Sequence, residues 1–243
     1  MDTISTNSYH ASCASDEEES QYLKRVRILR WVRLGLAILI AGLSIALVAC
    51  EAVPFHHYRR TSAYEKVGLY LWPLNLDIRP AIALISCGSI LAFSNITYIT
   101  TALLPSPRAH IHKINLLAAT TALIGFLAAL AAVVFAIHLP GSHPPSGFSG
   151  VETLHSWTCK WKVKHGLLRH NLDEIVSSPP RHFGRDCAAT KAAFVLMACV
   201  LGLEILMGAV AAIGAWLARS VEKKRAESEV LVKVESVAKY PGT

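Results

Sequence analysis

The stretch AAFVLMACVLGLEILMGAVAAIGAWLA, Ala192 to Ala218, carries one charge, Glu204, near its centre. A helix needs about 20 predominantly apolar residues to cross the hydrocarbon layer of a bilayer. Helices buried in soluble proteins are rarely so long or so evenly greasy, so this run reads as a membrane span. Working outward, three more blocks have the same character. They are WVRLGLAILIAGLSIALVACEAV from Trp31 to Val53, AIALISCGSILAFSNITYITTALL from Ala81 to Leu104, and INLLAATTALIGFLAALAAVVFAIH from Ile114 to His138.

The composition agrees: 53% hydrophobic against 17% charged residues, with the apolar residues blocked rather than periodic. The expected fold is therefore an all-α integral membrane four-helix bundle over residues 31–218. Its spans are 31–53, 81–104, 114–138 and 192–218, with outer loops 54–80 and 139–191. A disordered cytosolic tail is expected at 1–30 and a second cytosolic tail at 219–243. About thirty polar residues precede the first block, which suits an uncleaved signal anchor. The net charge of +7 comes from basic residues flanking apolar blocks, not from one stripe, so nucleic acid is not an expected partner.

Orientation follows from cations near the span ends. Lys24, Arg25, Arg27, Arg30 and Arg33 precede the first span, Arg108 and Lys113 lie between the second and third, and Arg219, Lys223, Lys224 and Arg225 follow the fourth. With four spans these fall on one side, which places both termini in the cytosol. The opposite loops hold Arg59, Arg60, Lys66, Lys160, Lys162 and Lys164, which dilutes the asymmetry. Cysteine placement points the same way. Cys159 and Cys187 are the two cysteines of the second outer loop, on the side where disulfides persist, and are expected to pair. Cys50, Cys87 and Cys199 lie in or beside spans and read as small packing residues. Cys13, in the N-terminal tail, reads as a free thiol.

Trp157 and Trp161 flank Cys159, and Trp72 sits in the first outer loop beside Tyr70. Such amphipathic rings suit the headgroup level, or a recognition surface for lipid or protein. Within the spans, Ala118 with Ala122, Gly125 with Ala129, Ala128 with Ala132, Gly208 with Ala212, and Ala211 with Ala215 are small residues four apart. Spacing of this kind lets helix backbones meet in lipid. Glu204 is the residue that asks for explanation. A charge there costs at least ~2.5 kcal/mol on insertion scales, so it is expected to be protonated and hydrogen-bonded across the bundle to Asn95 or a threonine. The alternative is a proton- or cation-binding site in a transport path.

The Asn95-Ile96-Thr97 sequon falls inside a span, where glycosylation cannot occur. Scattered loop histidines match no zinc spacing, so neither metal nor cofactor is expected. No catalytic signature is present, and no enzymatic activity is expected. Ser15, ahead of Asp16, Glu17 and Glu18, suits an acid-directed kinase. Val230, Val234 and Val237 fit one face of a helix continuing span four.

Four spans, two inside tails, a short inside turn and a cysteine-bearing second outer loop together resemble the MARVEL-type tetraspan proteins, fungal members above all. The resemblance is one of topology over roughly residues 30–219. Tetraspanins carry a CCG motif and more outer-loop cysteines than Cys159 and Cys187. Claudin-like proteins place a cysteine in the first outer loop, and residues 54–79 have none. What the resemblance implies is a non-enzymatic role in membrane-domain organisation, membrane apposition or trafficking, at the plasma membrane or a secretory-pathway membrane. Partners would be the bilayer, other membrane proteins, or the protein itself. The competing expectation is a small transporter or channel subunit using Glu204.

Overall fold

The computed structural model describes residues 5–62, 72–73, 76–104, 111–138, 152–160 and 182–239. In chain order the elements are α1 (Ser5–Thr61), β1 (Leu76–Asp77), α2 (Arg79–Leu103), α3 (Ile111–His138), β2 (Glu152–Thr153), a short α4 (residues 154–160) and α5 (Phe183–Lys239). Four helices contain windows long and apolar enough to cross a membrane: Lys24–Thr61, Arg79–Leu103, Ile114–Ile137 and Phe183–Val221.

Two of these helices outrun the apolar blocks that announce them. α1 begins at Ser5, where a disordered tail was expected, and runs through Pro54 to Thr61. α5 continues to Lys239. A nucleated span adds one hydrogen bond per residue as it lengthens, and the Glu-, Gln-, Leu- and Lys-containing flanks oppose that extension little. Pro54 leaves α1 unbroken and is itself buried.

The helices form a closed square. α1 lies against α2 and α5, and α3 lies against the same two, leaving α2–α5 and α1–α3 as diagonals. The inward faces keep one rhythm. Buried positions recur at 33, 37, 40, 44, 47, 51 and 54 in α1, and at 81, 84, 88, 91, 95, 98 and 102 in α2. They recur at 118, 122, 125, 129 and 132 in α3, and at 186, 190, 193, 197, 200, 204, 207, 211 and 214 in α5. Steps of three and four average 3.5 residues, the repeat of a left-handed coiled-coil seam.

Outward faces are as greasy as inward ones. Phe93 is 75% exposed, Trp216 69% and Leu123 60%, where a water-soluble bundle would carry polar groups. The seam differs in size and polarity. Ala118, Ala122, Gly125, Ala129 and Ala132 turn inward, so the small residues of α3 serve contacts within the bundle. Gly88 brings α2 close to α1: a Cβ there would lie 2.7 Å from Leu47 and 2.8 Å from Val48. Ala212, by contrast, faces outward, and so does Cys199 instead of packing inside.

A small layer closes the end of the bundle away from the start of α1 and the end of α5. β1 and β2 pair in parallel, Leu76 with Glu152 and Asp77 with Thr153, which joins the two interhelical connections. The Asp77 carboxylate accepts the backbone N–H of Arg79 at 2.9 Å and starts α2. Thr153 and Ser156 cap α4 reciprocally, each hydroxyl accepting the other residue's backbone N–H. Lys160 meets Glu152 at 3.1 Å, and the Ser156 hydroxyl donates to the same carboxylate. The Cys159–Cys187 disulfide then ties α4 to the start of α5.

The bridge closes a loop of 28 residues, which corresponds to about 3–4 kcal/mol in the chain-entropy account. Cys187→Ser is therefore expected to lower the unfolding free energy in mild detergent by about that amount. A loss below ~1 kcal/mol would mean that α4 docks without the bridge.

Candidate functional site

Polar side chains collect along the bundle axis, and two hydrogen bonds cross its diagonals. Asn95 of α2 donates its amide N–H to the Glu204 carboxyl of α5 at 3.2 Å, and also bonds the Leu91 carbonyl at 3.0 Å. Asn95 is fully buried and Glu204 nearly so. The seam position of Glu204 aims it at the axis, and the missing side chain of Gly125 makes room for it. A Cβ at Gly125 would sit 2.3 Å from Oε1 and 2.4 Å from Cδ. The carboxyl therefore fills the centre of the bundle against the α3 backbone. The hydrogen bond expected from sequence between Glu204 and Asn95 is present.

The other diagonal joins Arg33 of α1 to Asn115 of α3, with Nη1 donating to Oδ1 at 2.6 Å. Its Nη2 donates to the Val210 carbonyl of α5 at 3.1 Å, over Gly214, which again stands where a Cβ could not. Arg33 is only 3% exposed. Arg30 donates to the Ala102 carbonyl at the C-terminal end of α2, where the helix dipole favours a cation. These contacts bring together the end of α2, the start of α3 and the middle of α5, so the N-terminal part of α1 and the C-terminal part of α5 extend from one end of the bundle.

Arg33 reads from sequence as a membrane-flanking charge, and in the structure it lies inside the bundle. The three-and-four register linking it to Ala37, Ile40 and Ser44 was the available signal. Further along the same register sit Ser44 and Glu51, both buried. The Ser44 hydroxyl, Glu51 Oε2, Asn95 Oδ1, Tyr98 hydroxyl, Arg33 Nε and Glu204 Oε2 have no hydrogen-bond partner among the described residues.

At the opposite end, His57 Nδ1 lies 3.0 Å from the Asp186 carboxylate, with the His182 ring 5.1 Å away, centroid to centroid. Around them Trp72 contacts Tyr58 edge-on and packs on Phe183, and it donates its indole N–H to Thr61 at 2.7 Å. Leu154 and Trp157 belong to the same buried cluster. Trp72 and Trp157 are thus 8% and 6% exposed, inside the layer and not presented at its surface. Aromatic rings gain more here from packing on one another, with the indole hydrogen-bonded, than from a headgroup. Trp161 lies outside the described residues, as does the Ser15 side chain. The His57–Asp186 pair escaped the sequence reading, although 186 falls on the α5 register extended backward from 193.

His155 of α4 sits 2.8 Å from the Thr190 hydroxyl and 3.6 Å from the Cys159 sulfur. Burial, and then the nearby Lys191 ammonium, hold its ring below the ordinary histidine value. Among the described residues no three histidine, cysteine or acidic side chains converge as metal ligands would.

Comparisons with family models, with curated proteins and with solved structures return no match for this chain.

The tight fit at Gly125 gives a direct test. Gly125→Val should push the Glu204 carboxyl off its site and destabilise the bundle by about 2 kcal/mol or more, from overpacking and a lost hydrogen bond. Glu204→Gln keeps both shape and an acceptor for Asn95, and should cost less than ~1 kcal/mol. Denaturation in mild detergent reads both, and equal effects would contradict the packing described.

Proposed function

We propose that the protein is a non-enzymatic tetraspan membrane protein, both termini cytosolic, that organises or apposes membranes or supports trafficking at the plasma membrane or in the secretory pathway. The observation that carries this reading is the filled axis. The space beside Gly125 and Gly214 is taken up by the Glu204 and Arg33 side chains, so at these two levels the protein's own polar groups fill the axis, as in a packed scaffold. The all-round greasy exterior supports lipid as its solvent. Cations at the terminal end and a disulfide at the other support the assigned sidedness. Resemblance to the MARVEL-type tetraspans supports the role by topology alone. Its partners would be the bilayer and neighbouring membrane proteins, further copies of itself among them.

A second reading keeps one specific observation. Glu51, Ser44, Glu204, Asn95, Tyr98 and Arg33 place polar groups at successive depths, as a proton path requires. Arg33, a fixed positive charge at one end, opposes cation passage and favours the scaffold.

Proximity labelling from tags at each terminus, in intact cells, should mark cytosolic and membrane-domain proteins from both ends, unchanged in Glu204→Gln. Vesicles reconstituted with the wild-type protein should hold a proton gradient as well as empty ones. A leak that disappears in Glu204→Gln would replace the scaffold with a transporter.

A further inference from the structure

Beside the disulfide, α4 and α5 enclose an open groove of about 750 Å³, the size of a small-ligand site. Its floor is apolar: Ala188, Ala192, Val195 and Leu196 descend the outward face of α5 into the part of the helix that suits hydrocarbon. The two alanines make it concave, since longer side chains there would fill it. His155 and Lys191 stand at its polar end with Cys159 and Cys187. Arg185 lies three residues before Ala188 on the same helix face and is exposed. One end of the groove is thus cationic and the other greasy.

We propose that this groove is a binding site for an anionic phospholipid, its acyl chain lying along Ala188, Ala192 and Val195 and its headgroup held by Lys191 and His155. The inference rests on the membrane reading above and adds a ligand to it. Charge complementarity selects the occupant. A zwitterionic lipid offers the same chain but no net charge to two neighbouring basic groups. Among the described residues, the groups facing His155 are Lys191 and Thr190 from α5 and, on its own helix, Cys159, which is held in the disulfide and does not titrate. Lys160 of the same helix is engaged with Glu152. A phosphate-borne negative charge between His155 and Lys191 offsets the Lys191 repulsion that adds to burial in holding the His155 ring below its ordinary value. Binding therefore takes up a proton at His155, and it tightens as pH falls through the titration range of that ring.

The test uses the full-length, disulfide-intact protein in phosphatidylcholine nanodiscs containing a minority of phosphatidylserine, with retained lipids counted by native mass spectrometry. One phosphatidylserine per chain should be held in preference to phosphatidylcholine by roughly five-fold, the effect of about one favourable charge at the membrane surface. Lys191→Gln should lose that lipid by removing the charge. Ala192→Leu should lose it by filling the groove with the charge unchanged. Both positions are exposed on the outside of α5, so neither change disturbs the seam. The carbon-13 signal of labelled His155 should titrate at higher pH when phosphatidylserine is present. Equal retention of the two lipids by the wild type, or retention unaffected by Ala192→Leu, overturns the proposal. A chain that does not enter the discs overturns the membrane reading on which it rests.

Discussion

Helices in lipid gain nothing from hiding hydrocarbon from hydrocarbon, so on the membrane reading proposed above this bundle depends on closeness of fit along its seam. Where the seam carries Gly88, Gly125 and Gly214, a neighbouring helix fills the space a Cβ would occupy. That closeness lets dispersion contacts accumulate, and it lets two pairs of polar side chains meet across the square. Asn95 and Glu204 span one diagonal and Arg33 and Asn115 the other. Neighbouring helices meet through small and apolar residues, with Arg30 and Arg33 donating to carbonyls of the helices beside them, while opposite helices meet through hydrogen bonds between side chains. The register is specified twice, because slipping one helix by a residue would turn these groups toward lipid.

The end layer adds a different kind of constraint. Two connections that would otherwise move independently are joined by the β1–β2 pair, the buried Glu152–Lys160 contact, the aromatic cluster around Trp72 and the disulfide. Water and oxidising conditions favour such devices, whereas fit and hydrogen bonding serve the interior. The chain thus uses one means of stabilisation along its apolar helices and another in the layer that closes them.

Much of this was legible in the sequence, for identifiable reasons. The four long apolar helices follow from length and apolarity. The disulfide follows from which cysteines fall between the third and fourth apolar blocks, and the Glu204–Asn95 contact from the cost of a lone acid among apolar residues. The inward face of each helix was harder to read. When buried and lipid-facing residues are equally greasy, hydropathy cannot separate Leu91, fully buried, from Phe93, 75% exposed. Only small and polar residues mark the seam, and they do so in threes and fours. Arg33 was hidden by a rule that assigns every cation near a span end to the membrane surface. The tryptophans were hidden by the corresponding rule for aromatic rings, which takes no account of a folded layer capable of burying them.

The central claim is that one face of each helix packs on the axis while its neighbours meet lipid. A nitroxide scan of residues 193–216 in reconstituted bilayers, read by collision with dissolved oxygen, tests it most directly. Accessibility should fall at 193, 197, 200, 204, 207, 211 and 214 and rise at Ile205, Leu206, Ile213 and Trp216. A flat profile, or Glu204 as open to oxygen as Ile205, would contradict the account.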